Sequence, residues 1–74
     1  MSKSRLNPLH EAHAFGEILS YNGVEGNIAR RITEDFAFSM YHKPRAKRYR
    51  RLWIDAAMRG FESRENAMAQ LGKT

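Results

Sequence analysis

Between Lys43 and Arg51 the chain reads Lys-Pro-Arg-Ala-Lys-Arg-Tyr-Arg-Arg, and the side chains best suited to chemistry gather there. Lys43, Arg45, Lys47, Arg48, Arg50 and Arg51 are six of the thirteen basic residues, with no acid among them. The chemistry they offer is recognition of phosphate. Guanidinium groups present fork-shaped donors that match phosphate oxygens, and a local run of positive charge draws in a polyanion, of which nucleic acid is the commonest. The other residues carry seven basic and eight acidic side chains, so the net charge of +5 belongs to this one block. Tyr49 lies within the run and Trp53 just after it. Aromatic residues so placed either stack on unpaired bases of single-stranded RNA or fill the buried stripe of a helix, and sharing a stripe with Leu52 and Ala56 favours the core for both.

Other constellations are poorer. His10, His13 and Glu17 could gather on one helix face, but a zinc site needs three or four ligands and the chain has no cysteine, so no metal is expected. His42 reads as a turn residue or a neighbour of bound phosphate. No serine or lysine stands in a nucleophile context, there is no glycine-rich phosphate loop, and the chain is too short to enclose a water-free pocket. The expectation is a non-enzyme without cofactor or small-molecule substrate.

The elements that must hold the basic block are helices. Asn7-Pro8 is a helix start, with Asn as the cap, Pro in the first turn and Glu11 near the positive end of the dipole. Leu9, Ala12, Phe15, Ile18 and Leu19 then recur at helical steps until Asn22-Gly23, which predicts a helix from Pro8 to Tyr21. Val24, Ile28, Ile32, Phe36 and Met40 repeat every four residues, with Ala29 and Ala37 beside them, and predict a second helix over 25–41. His42-Lys43-Pro44 breaks it, and the proline opens a third helix that carries the basic block and buries Tyr49, Leu52, Trp53, Ala56 and Gly60. Asp55 stands four residues from both Arg51 and Arg59 and can pair with either. Ser63 is a candidate cap for a short last helix, Arg64 to Leu71. No strand signal is present. Seventy-four residues allow one domain, 1–74, with residues 1–6 as a flexible basic N-terminus. The fold expected is an all-α bundle of about three helices with a thin core, since a chain this small buries only about 60% of its unfolded surface. No apolar run approaches a membrane span, and absent cysteines and signal peptide point to the cytoplasm.

Two spaced motifs resemble the bacterial ribosome modulation factors. Asn7-Pro8-Leu9-His10-Glu11-Ala12, followed by Gly16 and Gly23, is similar to the opening helix of that family. Arg50, Trp53, Ile54, Asp55 and Gly60 are similar to its second helix. The family's Cys-Pro-aromatic linker is absent, as is the second Trp of its Gly-Trp pair, and residues 24–42 look like an inserted helix. The resemblance implies a hibernation factor on the small ribosomal subunit. It would touch 16S rRNA near its 3′ end and the mRNA exit, together with neighbouring ribosomal proteins, block initiation, and favour inactive ribosome dimers alongside a hibernation-promoting factor. It also implies that Lys43, Arg45, Lys47, Arg48, Arg50 and Arg51 contact rRNA, with Lys3 and Arg5 as secondary contacts. Gly16 and Gly23 read as packing and turn positions.

The rival is a small helical DNA-binding regulator of the phage type, since Asn27-Ile28-Ala29-Arg30-Arg31-Ile32 is like the first helix of a helix-turn-helix. The His42-Lys43-Pro44 junction fits that motif poorly, and the following helix offers phosphate contacts with little to read base edges. A protein inhibitor docking on an acidic partner is a third reading of the same charge.

Overall fold

The computed structural model describes residues 8–72, and over them the chain is a set of helices joined by short turns, with no strand. Helix α1 runs Pro8–Tyr21, α2 Gly26–Met40, a 3₁₀ turn Pro44–Ala46, and α3 Lys47–Gly72. The expected cap Asn7, the N-terminus 1–6, and Lys3 and Arg5 within it lie outside the described residues.

Local chemistry explains the boundaries. Gly23 adopts a left-handed φ of 76°. Its N–H donates to the Ser20 carbonyl at 3.0 Å and the Val24 N–H donates to the Leu19 carbonyl at 3.1 Å. This paired closure satisfies two carbonyls left over at the end of α1, and Val24 completes it by packing on the cluster of Leu19, Ala29 and Phe61. Glu25 caps α2 with its backbone only, in extended conformation and with no side-chain hydrogen bond, so α2 starts weakly. Pro44 opens the 3₁₀ turn rather than α3 itself, which puts Arg45 on the turn and Lys47 at the first position of α3.

Helix α3 corrects one expectation. Arg64 to Leu71 is helical, but as the continuation of a single 26-residue helix and not as a separate element. Ser63 caps nothing because the chain never leaves the helix before it. Gly60 sits in a helix crossing that holds its backbone helical, and the residues after Ser63 are strong helix formers with neither Gly nor Pro before Gly72.

Helix α3 is the spine, and α1 and α2 both pack against it while barely meeting each other. The result is a slab with extents of 45 × 32 × 17 Å and a radius of gyration of 13.6 Å. A compact chain of this length would have a radius of about 11 Å. Backbones touch where α1 crosses α3. A Cβ on Gly16 would overlap the Ala57 carbonyl, and one on Gly60 would overlap the His13 carbonyl. Small residues give this crossing its closeness. Ala12, Ala37, Trp53 and Ala57 form one core cluster and Leu19, Ala29 and Phe61 a second, with Phe15 packing on both. Ser20 ties the far end of α1 down by donating to Glu65 Oε2 at 2.5 Å.

The buried stripes differ from the expected ones in rotation. On α3 the buried arc is Trp53, Ala57, Gly60 and Phe61, because the two large side chains at its edges set the helix's rotation; Tyr49 and Leu52 fall outside and are exposed, and Ala56 is half-buried. On α1, Ala12, Gly16, Leu19 and Ser20 are buried, while Leu9 and Ile18 are exposed. On α2 the packed row is Ala29, Thr33 and Ala37, and the bulkier row Ile28, Ile32, Phe36 and Met40 remains on the surface. A slab without a second layer leaves α2 only a narrow strip to bury, and a narrow strip of small residues allows the closest approach.

Candidate nucleic-acid interface

The basic block folds into the 3₁₀ turn and the first turns of α3, at the end of the slab where α2 stops. Lys43 caps the turn in extended conformation, with its carbonyl accepting from the Ala46 N–H at 2.9 Å. Lys43, Arg45, Lys47, Arg48 and Arg51 are all exposed, and none forms an ion pair among the described residues. The first turn of α3 contains no acid. Cations therefore crowd the positive end of a helix dipole, an arrangement that raises the free energy of the isolated protein and is relieved by an anion.

Arg50 stands apart from the other five. It is half-buried, donates from Nη1 to the Tyr41 carbonyl at 2.8 Å, and lies over the Phe38 ring at 4.7 Å. Tyr41 is the C-cap of α2. Arg50 thus satisfies a carbonyl at the negative end of α2 and fastens that helix to α3. This is a structural role that sequence reasoning grouped with phosphate binding.

The two aromatics separate as well. Trp53 is only 3% exposed, with ring centroids 5.2 Å from Phe15 and 5.5 Å from Phe36, while Phe15 and Phe36 stack at 5.0 Å. One aromatic from each helix meets there, so Trp53 is core. Tyr49 is 62% exposed, against the expectation that it packs with Trp53. It lines an apolar pocket of about 200 Å³ with Pro8, Leu9, Tyr41, Leu52 and one edge of Trp53. The sequence marks Leu9 only as part of the apolar stripe of α1 and gives Tyr41 no site role, so neither is legible as a wall of this pocket before the helices are packed. On the outer side of α3, Arg48, Arg51, Leu52 and Asp55 line a shallow hollow. Asp55 closes an ion pair with neither Arg51 nor Arg59.

The histidine set does not assemble. His13 Nδ1 lies 3.7 Å from Glu17 Oε2, but among the described residues no three His, Cys, Asp or Glu side chains come together as metal ligands. His42 is exposed beside the basic turn. No helix among the described residues is long and apolar enough to cross a membrane.

Ala12, Gly16, Trp53 and Gly60, which carry much of the resemblance to ribosome modulation factors, are the residues through which α1 and α3 pack. These positions are therefore scaffold, and the cations are displayed upon it. No family model, no curated protein and no solved structure matches this chain.

Proposed function

We propose that this chain is a non-catalytic RNA-binding factor that attaches to the small ribosomal subunit through rRNA phosphates, near the rRNA 3′ end and the mRNA exit. Bound there, it hinders initiation and favours inactive ribosome dimers together with a hibernation-promoting factor, in the cytoplasm. One observation carries the phosphate contact: five exposed cations with no acidic partner stand at the N-terminal end of α3, where the helix dipole adds to their potential. The ribosome as location rests on the motif resemblance. Five phosphate contacts on single-stranded RNA imply that log K falls with log salt at a slope of about −3.5, or about a hundredfold weaker binding between 50 and 200 mM salt.

The test is sedimentation of the tagged protein from stationary-phase and growing cells. Co-migration with small subunits or ribosome dimers, lost at high salt and lost in Arg48→Glu/Arg51→Glu, is the expected result. Recovery on DNA with none on ribosomes refutes the reading in favour of a DNA-binding regulator, and unchanged ribosome association in the double variant refutes the assignment of the surface.

A further inference from the structure

Beside the packed strip of α2, Ile28, Ile32 and Phe36 form a row that is 53%, 38% and 45% exposed, and Met40 extends it. Residues turn by about 100° per position along a helix. Arg31 and Asp35 therefore flank this row on the side away from Ala29, Thr33 and Ala37. Both are exposed, and neither forms an ion pair among the described residues, although Arg30 does so with Glu34 at 3.1 Å.

We propose that this row is a self-association surface, in which two copies of the chain pair their α2 helices antiparallel about a two-fold axis near Ile32. The symmetry sets Ile32 on its own counterpart and Ile28 against Phe36 of the other copy, twice over. It also solves the charge pattern. Along the helix, Arg31 lies about 1.5 Å from the axis and the other copy's Asp35 about 4.5 Å from it on the same side, an offset of about 3 Å that an arginine side chain spans easily. Each unpaired charge so finds its complement, and the ion pair forms twice.

The antiparallel sense is favoured by long-range charge too. Each copy carries its positive block just beyond the C-terminal end of α2, and antiparallel pairing puts the two blocks at opposite ends of a helix pair about 22 Å long. That exceeds the Debye length of about 8 Å at physiological salt, so the blocks hardly repel. A thin slab in which Leu19, Trp53 and Phe61 are the only large apolar side chains buried among the described residues gains from the second layer that a partner copy supplies. Pairing of this kind does not depend on phosphate binding.

Because the chain has no cysteine, single substitutions report proximity directly. Ile32→Cys, on the axis, should form an interchain disulfide under mild oxidation at least tenfold faster than Met68→Cys on exposed α3. Sedimentation equilibrium of the unmodified chain should show its mass rising with concentration toward twice 8.6 kDa. Arg31→Asp should weaken the association about tenfold, and Arg31→Asp with Asp35→Arg should restore it; neither touches the core, so folding checked by helicity remains intact. A chain that stays monomeric at millimolar concentration overturns the proposal. So does a dimer indifferent to the Arg31→Asp change, or cross-linking equal at positions 32 and 68.

Discussion

Arg50 and its neighbours Arg48 and Arg51 belong to one run of charge, yet only Arg50 is tied into the fold while the other two stand exposed, and replacing them one at a time should separate stability from the proposed binding. Arg50→Met keeps the aliphatic stem but removes the hydrogen bond to the Tyr41 carbonyl and the cation over Phe38. A hydrogen bond from a charged donor contributes about 1.5–3 kcal/mol, and a partly exposed cation–π contact about 0.5–1 kcal/mol. Screening at a half-buried site brings the sum to about 2 kcal/mol. For a domain of this size, each kcal/mol shifts Tm by about 4–8 °C, so the variant should melt about 8–16 °C lower. Its affinity for a single-stranded RNA oligonucleotide, measured by anisotropy below the transition, should keep nearly the parental salt slope. Arg48→Met and Arg51→Met should do the reverse, each leaving Tm within about 2 °C and lowering the slope by about 0.7. An Arg50→Met protein that melts normally but loses salt dependence would refute the assignment, as would destabilisation by Arg48→Met or Arg51→Met.

Gly60→Ala should lower stability by about 1–3 kcal/mol in urea titration, because its methyl meets the His13 backbone, whereas Gly26→Ala, facing only the tip of Phe61, should raise it by up to about 1 kcal/mol. Trp53→Ala should cost about 3–5 kcal/mol by thermal or urea unfolding, since it removes the ring on which Phe15 and Phe36 both pack. Thr33→Val should stabilise the protein by about 1 kcal/mol in the same assay, because the Thr33 hydroxyl is buried with no hydrogen-bond partner among the described residues and valine keeps its shape.

Helix ends proved legible wherever a residue's own backbone chemistry decides them. Gly23 ends α1 because only glycine adopts its φ easily, and Pro44 lies at the break between α2 and α3, so both breaks fall where the sequence puts them, although Pro44 opens a 3₁₀ turn and not α3 itself. Ser63 misled because a capping residue is permissive: it stabilises a helix start but cannot create one inside a run that prefers to stay helical. Rotation was least legible. Hydrophobic periodicity identifies Ile28, Ile32 and Phe36 as a stripe, but Ala29, Thr33 and Ala37 are what α2 buries. Close helix packing selects for small size, which a hydrophobicity pattern ranks low. The basic block could be read from composition alone. That Arg50 leaves it to hold α2 depends on the carbonyl of Tyr41, nine residues earlier, and no local pattern announces that contact.

The same small residues account for both the thinness of the slab and its exposed surfaces. Gly16 and Gly60 let α1 and α3 touch at the backbone, and Ala29 and Ala37 bring α2 close to its neighbours. Close approach uses up much of the interface with backbone and methyl groups, so beyond Leu19, Trp53 and Phe61 the large side chains find little interior to enter and fall to the rims. Tyr49 and Leu52 thus end up beside the cations, and Ile28, Ile32 and Phe36 end up along α2. Enlarging the core residues to recruit these side chains would push the helices apart and break the crossing that carries the basic turn. A polyanion at one end and a second copy along α2 would each compensate a different deficit of the isolated chain, uncancelled charge in the first case and unburied apolar surface in the second. Since the two surfaces share no residue, Ile32→Asp should abolish pairing while leaving the RNA salt slope intact, and Arg48→Met should alter the slope while leaving pairing intact. Loss of both properties in either variant would mean that binding and pairing are one event on one surface.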